Sequence, residues 1–260
     1  TSDDPYAAGC TDAINTYFGN LKLPVGVLKK QSVMKNHSRY TRQLTDSFPN
    51  RKLDQEQWSD ATDLYRKLLS TSPDGSVVIV TIGHLTNLMN LLKSAPDKYS
   101  KLDGLRLANK KVRKWLCMGG QFPSGKEANF YRPDPGSTVY CLSKWTKPVV
   151  FAGWEVGAKI VTGAEYLRAK LPPSSPVYKA YELYNNFKGR ASWDQVAILL
   201  LLPVHTRYFE LEKNGHCEVA EDGSNNWKDG VAKNHSYVKL RPGADLTAIA
   251  RLIDDMTIRN

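Results

Sequence analysis

The sequence lacks several patterns that would place it in a common class of protein. Its longest apolar run, residues 196–204, is about half of the roughly 18–20 residues that a membrane helix needs, so no membrane partner is expected. The four cysteines lie far apart along the chain, which argues against a metal–thiolate centre: Cys10, Cys117, Cys141 and Cys217. Neither a P-loop nor a dinucleotide-binding glycine motif is present, so the sequence gives no motif for nucleotide phosphates.

Positive charge is plentiful, with a formal net charge of +10, but no run of five or more Lys or Arg residues occurs. Scattered cations are typical of a solvated basic surface, so we expect no nucleic-acid partner. Asn-x-Ser acceptors at Asn36 and Asn234 favour a secreted glycoprotein over a cytoplasmic protein. The chain begins at Thr1 without an initiator methionine, which favours a processed or excised form.

Strand-like and helix-like segments alternate through the middle of the chain. With 41% hydrophobic residues, the chain can bury a substantial core, and we expect a single domain over residues 1–260. Residues 76–83, 111–119 and 148–153 read as buried strands, and residues 85–95 and 136–145 read as helices. This alternation predicts an α/β fold with a mostly parallel sheet that has helices on both faces.

Three further elements are predicted outside this alternating region. Residues 55–69 have the spacing of an amphipathic helix with one apolar face, which contains Trp58, Ala61, Leu64, Tyr65 and Leu68. Residues 208–219 predict a small β-hairpin that turns at Asn214-Gly215. Residues 244–256 predict a closing helix.

Each predicted strand of the central sheet ends in glycine, at Gly83, Gly119 and Gly153. Ligands of parallel sheets bind outside the carboxyl ends of the strands, where backbone must come close. The loop "CMGGQFPSGKEANFYRPDP", residues 117–135, follows one of these ends and is therefore the first candidate for a binding site.

Polar side chains in this loop allow two interpretations. Glu127 and Asn129 offer acceptors and donors suited to a polyhydroxylated ligand such as a sugar. Alternatively, Asn129 and Asp134 simply cap the following helix, which Pro135 would begin. The spacing alone does not separate binding from capping.

Longer segments carry a family resemblance. "MGGQFPSGKEANFYRPDPGS", "KPVVFAGWEVGAKIVTG" and "ASWDQVAILL" resemble the inosine–uridine-preferring nucleoside hydrolases, particularly their secreted bacterial and fungal branch. "PYAAGCTDAINTYFGNLKLPVGV" and "VTIGHLTNLMNLL" are similar to earlier segments of that family. The resemblance implies a doubly wound α/β fold and cleavage of the N-glycosidic bond of ribonucleosides with a bound calcium ion.

The resemblance also implies roles for individual residues. Asp194 corresponds to a carboxylate ligand of calcium, and Ile82 corresponds to the residue whose backbone carbonyl binds the ion. Glu127 and Asn129 correspond to a pair that binds ribose. Trp193 is a candidate for stacking on the nucleobase, against the alternative that it packs in the core. No residue is assigned as the catalytic acid or base.

The sequence departs from the family pattern at its beginning. The family's N-terminal strand ends in an Asp-rich cluster that supplies most calcium ligands, and we find no counterpart of this cluster. We expect either a hydrolase whose metal-binding segment is supplied by an N-terminal companion peptide, or a non-catalytic secreted protein, lectin-like or defensive, that binds carbohydrate or nucleoside. Strand edges left open by a missing segment would favour a homo-oligomer.

Overall fold

A computed structural model describes residues 2–29, 33–35, 37–231 and 233–258 of the chain. The helices are α1 Ala7–Tyr17, α2 Thr41–Ser47, α3 Ala61–Thr71, α4 Thr86–Lys93, α5 Gly104–Lys111, α6 Ala128–Tyr131, α7 Pro135–Lys144, α8 Trp154–Gly157, α9 Glu165–Lys170, α10 Pro176–Asn185, α11 Trp193–Leu199 and α12 Leu246–Ile258. The strands are β1 Gly26–Val27, β2 Ser59–Asp60, β3 Val77–Thr81, β4 Val112–Met118, β5 Ser124–Gly125, β6 Val149–Ala152, β7 Val161–Thr162, β8 Arg190–Ala191, β9 Phe209–Glu212, β10 Gly215–Val219, β11 Asn225–Asp229 and β12 His235–Leu240. Short 3₁₀ helices span Gln55–Gln57 and Pro203–Arg207.

The chain divides into two compact units, which are described separately. The first comprises Thr1–Leu64, Val161–Arg190 and Ala250–Asn260, and the second comprises Tyr65–Ile160 and Ala191–Ile249. The expectation of a single domain stays a prediction. None of the helices in the described ranges is long and apolar enough to span a membrane.

A five-stranded sheet in the order β3-β4-β6-β12-β9 forms the centre of the second unit. The pairs β3–β4, β4–β6 and β6–β12 are parallel, and only β9 runs antiparallel to its neighbour. The three strands expected from β-branched apolar runs are β3, β4 and β6, and they are neighbours. The predicted α/β fold with a mostly parallel sheet is confirmed.

Helices cover both faces of this sheet. On one face, Ile79, Trp115 and Phe151 pack with side chains of α4, α5 and α7 in one buried cluster. Alternate strand residues such as Leu116 point to the opposite face. Helix α11 contacts β4 and β6, and its residues, all of them described, do not belong to the first cluster. It therefore covers the second face.

The first unit contains α1, α2 and α10, which contact one another. Asp12 is buried and contacts Arg51 at 2.6 Å. Asp4 is buried and accepts hydrogen bonds from the Thr41 hydroxyl at 2.7 Å and the Tyr6 backbone N–H at 2.9 Å. It thereby caps the turn that leads into α1.

The amphipathic helix predicted over residues 55–69 begins later than expected. Residues Gln55–Gln57 form a 3₁₀ turn, and the α-helix runs over Ala61–Thr71. The Asp60 carboxylate accepts hydrogen bonds from the backbone N–H groups of Thr62 and Asp63, at 2.8 and 3.2 Å. This side-chain cap sets the start of the helix, which apolar spacing alone cannot locate.

The hairpin predicted at Asn214-Gly215 is wrong. Strand β9 pairs with β12 in the central sheet, whereas β10 pairs with β11 in a three-stranded antiparallel sheet of order β10-β11-β5. The dipeptide therefore joins two sheets, and the actual hairpin turns at residues 220–224, where Gly223 has a φ of 80°. The closing helix is present as α12, which starts at Leu246.

Candidate functional site

The carboxyl ends of β3, β4 and β6 lie side by side. Thr81 pairs with Cys117, and Cys117 pairs with Phe151, so the residues that follow these strands leave the sheet at the same edge. Adjacent strands are about 4.8 Å apart, which brings the three following loops close together. This edge is where the sequence placed the candidate site.

Two glycines allow the loop after β4 to turn tightly. A Cβ on Gly119 would lie 2.3 Å from the buried ring of Phe130, so no larger residue fits there. Gly120 has a φ of 78°, a conformation that side chains disfavour. The sequence "MGG" therefore folds the chain back against Phe130 and directs the next segment across the edge of the sheet.

Glu127 is buried at 6% exposure, and its carboxylate is held by backbone N–H groups. The Gly120 N–H donates to Oε2 at 3.2 Å, and the Asn129 N–H donates to both oxygens at 3.0 Å. Burial raises the pKa of Glu127, backbone hydrogen bonds oppose this effect, and the negative charge of Asp194 adds to it. The charge of Asp194 therefore reaches Glu127, as the smallest of these effects.

Asn129 and Asp134 have different roles. Asn129 Nδ2 donates to the carbonyl and sulfur atoms of Met118 at 3.2 and 3.0 Å, so its side chain closes the loop instead of capping a helix. The Asp134 carboxylate accepts from the Ser137 N–H at 3.2 Å and from the Thr86 hydroxyl at 2.8 Å. The capping interpretation is therefore right for Asp134 and wrong for Asn129.

Asp194 lies in the first turn of α11, and Trp193 begins that helix. Trp193 is half-buried, and its Nε1 donates to the carbonyl of Trp154 at 3.1 Å. A Cβ on Gly157 would lie 2.5 Å from the Trp193 Cα, so α8 and α11 approach as closely as glycine allows. This close packing fixes the start of α11, and with it Asp194.

Ile82 directly follows β3 and is 45% exposed. Its position at the same edge of the sheet agrees with the resemblance, since a carbonyl ligand places no demand on the side chain. Thr81 before it accepts a hydrogen bond from Trp115 Nε1 at 2.8 Å, which anchors the end of the strand. The binding roles of Ile82, Glu127, Asn129, Trp193 and Asp194 stay predictions.

Asn225 supports the candidate loop, but the sequence analysis did not identify it. Its Oδ1 accepts from the Gln121 N–H and its Nδ2 donates to the Gln121 carbonyl, both at 2.9 Å. Asn225 is 1% exposed and lies on β11, 104 positions from Gln121. Nothing in the spacing of the sequence signals such a distant pair.

Glu155, which the sequence analysis did not single out, supports the same loop. Its Oε2 accepts from the Phe122 N–H at 2.9 Å, and its Oε1 is buried without a hydrogen-bond partner among the described residues. Burial raises the pKa of this carboxyl. Glu155 therefore supports the loop from a partly buried position, and the signal that could have found it was its place two residues after Gly153, the glycine that follows β6.

A family model, described as inosine–uridine preferring nucleoside hydrolase, matches residues 7–254 of this chain. The chain belongs to the inosine–uridine preferring nucleoside hydrolase family. It is accordingly a nucleoside hydrolase-like protein, as the resemblance implied. No curated protein sequence matches it.

Two nucleoside hydrolases and a type III effector protein of known structure share this fold at low sequence identity. A plant nucleoside hydrolase is 16% identical, with a TM-score of 0.67, over 98% of this chain and 86% of that chain. The inosine–uridine preferring nucleoside hydrolase from Bacillus anthracis is 14% identical, with a TM-score of 0.66, over 98% and 88% of the two chains. The type III effector protein XopQ, solved in complex with adenosine diphosphate ribose, is 12% identical, with a TM-score of 0.68, over 96% and 79%.

Nucleoside hydrolases of this family use a metal ion, typically calcium. Calcium takes six to eight oxygen ligands. Within the described ranges, no group of three or more His, Cys, Asp and Glu side chains could hold a metal ion. Asp194 and the Ile82 carbonyl supply two candidate ligands, which is far short of that number. The described residues alone do not fit a calcium ion.

Proposed function

We propose that this chain is the sugar-binding part of a ribonucleoside N-ribohydrolase. The observation that carries the proposal is the buried Glu127 carboxylate, which backbone N–H groups hold in the loop that follows β4 at the carboxyl edge of the sheet. A buried carboxylate with lone pairs to spare favours a ligand rich in hydrogen-bond donors. A ribonucleoside bound through its ribose hydroxyls supplies such donors.

Glu127 has the capacity to take part in sugar binding. A carboxylate has about four acceptor positions, and the backbone N–H groups of Gly120 and Asn129 occupy only part of them. Those bonds fix the orientation of the carboxylate before a ligand arrives, which lowers the entropy lost on binding. In the proposal, the remaining lone pairs accept the ribose hydroxyls, while Trp193 lies beside the base.

The proposal includes a separate acidic segment that completes a calcium site with Asp194 and Ile82. It follows from the ligand count, because two oxygen ligands do not offset the dehydration of a divalent ion. The segment corresponds to the companion peptide expected from the family pattern. In the proposal, this chain's own residues hold the sugar.

Base release from inosine and uridine tests the hydrolase proposal. The 260-residue chain alone should release no base above background, with or without calcium. An added peptide carrying an Asp cluster should restore calcium-dependent release, and Asp194→Ala should then abolish it. Asp222→Ala is the matched control, because Asp222 is an exposed carboxylate that pairs with Lys126 at 2.9 Å.

Robust hydrolysis by the chain alone would contradict the conclusion that it has too few ligands to bind calcium without an added segment. Nucleoside binding by calorimetry, without hydrolysis even when the acidic peptide is added, would favour the alternative of a non-catalytic carbohydrate- or nucleoside-binding protein. In either case Glu127→Gln should weaken ribose binding by about tenfold, since it replaces an acceptor of two backbone bonds with a weaker one.

We also propose that the protein is a secreted glycoprotein, which belongs to the secreted bacterial and fungal branch of the family. Asn234 is exposed immediately before β12, whereas Asn36 lies outside the described residues. Expression in a eukaryotic secretory host should add a glycan mass that a glycosidase removes and that Asn234→Gln reduces. An unmodified mass for the wild-type chain from that host would refute glycosylation.

A further inference from the structure

Basic residues gather at the amino-terminal edge of the central sheet, at the opposite end of the strands from the candidate site. In the middle of the sheet, Trp115 of β4 pairs with Val149 of β6, and Val149 pairs with His235 of β12. The residue two positions before each of these three is basic: Arg113, Lys147 and Lys233. Because neighbouring strands are about 4.8 Å apart, three segments that are distant in the sequence bring positive charge to one edge.

Hydrogen bonds tie these three segments together. Thr146 Oγ1 donates to Asn109 Oδ1 at 2.7 Å, and Asn234 Nδ2 donates to the Thr146 carbonyl at 3.3 Å. The Val149 N–H donates to the Asn234 carbonyl at 2.8 Å. Each of the three residues whose side chains make these bonds adjoins a lysine in the sequence: Lys110, Lys147 and Lys233. The edge is therefore one connected surface.

We call this surface the basic strip. Asp74 contacts two of its lysines, Lys110 and Lys111, at 3.7 and 2.8 Å. The other strip residues make no ion pair in the part of the chain that the structure describes. The strip consists of Lys110, Lys111, Arg113, Lys114, Lys144, Lys147 and Lys233.

Helix ends explain only part of the strip. Lys110 and Lys111 lie in the last turn of α5, and Lys144 lies in the last turn of α7, where the helix dipole stabilises cations. The remaining strip residues lie on or before strands, where no helix dipole acts on them. Close cations repel one another, so an anionic partner would relieve this repulsion.

The side chains around the strip indicate which kind of polyanion fits. Trp115 and Trp145 are buried and pack against each other at 5.3 Å, so neither ring can stack on a nucleobase. The strip, all of whose residues are described, lies on strand starts and helix ends and places no helix or ribbon to enter a duplex groove. Val112 and Val149 are fully buried, so they cannot anchor a membrane surface.

We propose that the basic strip binds a linear sulphated polysaccharide, a polyanion that requires a line of cations and neither stacking nor apolar anchors. The inference does not require the chain to hydrolyse nucleosides, because the seven residues of β4, about 20 Å, separate the strip from the candidate site. Asn234, proposed above as a glycan acceptor, adjoins Lys233, so a glycan there would shield part of the strip.

A labelled heparin oligosaccharide tests the proposal, with protein from a bacterial host that adds no N-linked glycan. The matched probe is the same oligosaccharide after removal of its sulphate groups. Fluorescence anisotropy should show at least about tenfold tighter binding of the sulphated probe at low salt, and this binding should weaken as salt screens the charges.

Acetylation of lysines in the unmodified chain locates the binding surface by mass spectrometry. Heparin should protect Lys110, Lys147 and Lys233 from the reagent. Lys98 and Lys101, which are exposed before the start of α5, should stay reactive. Helix α5 has eight residues and is about 12 Å long, which separates them from the strip at its other end.

A matched pair of double variants tests the strip itself. Lys147→Gln with Lys233→Gln should weaken heparin binding at least about tenfold at low salt, because both cations are lost from the strip. Lys98→Gln with Lys101→Gln removes the same charge from the chain and should leave binding within about twofold of the wild type. Circular dichroism checks that both proteins fold, and the acetylation map depends on neither.

Three outcomes would overturn the proposal. These are equal binding of the two probes, equal weakening by the two double variants, or displacement of heparin by duplex DNA at the same concentration of charge. The last would make nucleic acid the occupant. Heparin binding without base release would leave this inference standing while the hydrolase proposal fails.

Discussion

Acidification should destabilise the chain through His235, a buried side chain at the start of β12. The ring is 7% exposed, packs edge-on against Phe151 at 5.5 Å, and its Nδ1 accepts a hydrogen bond from the Cys217 N–H at 3.2 Å. A ring that accepts at Nδ1 cannot carry a proton there. Burial first, then the neighbouring His216 and Lys233, lowers the pKa of His235 to about 4.

The sign and size of the effect follow from proton linkage. The unfolded chain, with a histidine pKa near 6.5, binds the proton more readily than the folded chain, with a pKa of about 4. The contribution of neutral His235 to the free energy of unfolding is therefore fully present above pH 6.5 and is lost as the pH falls towards 4. At about 1.4 kcal/mol per pH unit, this histidine alone removes about 3 kcal/mol over that window.

Urea denaturation at half-unit steps from pH 7.5 to 4 measures this loss. His235→Asn keeps an acceptor for the Cys217 N–H but cannot titrate, so its stability should fall by about 3 kcal/mol less than that of the wild type. The difference between the two proteins cancels the contribution of carboxyl groups common to both. His205→Asn, which alters a histidine bonded to the Leu202 carbonyl, is the control. Parallel curves for wild type and His235→Asn would refute the reasoning.

Two further predictions concern stability and helix placement. Asp97→Asn should lower the free energy of unfolding by about 3 kcal/mol in urea denaturation, because Arg66, 2% exposed and 2.7 Å from Asp97, would keep a buried charge without its partner. Asp103→Asn, in an exposed ion pair, should lower it by less than about 1 kcal/mol. Equal losses in the two variants would contradict this. Gly157→Ala should lower the free energy of unfolding by about 1–3 kcal/mol and shift the start of α11 in a crystal structure. Gly136→Ala should do neither, because the nearest atom to its new Cβ lies 3.6 Å away.

The central sheet could be predicted from local sequence. The segments that form β3, β4 and β6 are largely apolar runs with β-branched residues. This pattern is typical of parallel strands that are covered on both faces. The boundaries of α3 could not be predicted in the same way, because Asp60 caps the helix inside an amphipathic pattern that continues on both sides. The partners of β9 and β10 depend on strands far along the chain, which a local turn signal such as Asn214-Gly215 cannot specify.

The candidate site was predictable where its residues follow strand ends. Glu127 and Asn129 lie in the loop after β4, and because they are two residues apart in the sequence they are also in contact in the structure. Asn225 was not predictable, because a single polar residue on a distant strand has no pattern of its own. Glu155 was visible as a carboxylate after Gly153, but its contact with the Phe122 N–H depends on how two loops meet.

The reciprocal bonds between Gln121 and Asn225 also set an order of events during synthesis. A ribosome adds residues from the N-terminus, so the loop around Glu127 leaves the exit tunnel while its partner strand is not yet made. Until residue 225 has emerged, 104 positions later, the Gln121 backbone lacks this partner. The loop around Glu127 therefore takes its final shape only when most of the chain is complete, and a chain terminated before β11 would carry the residues of the candidate site without its geometry.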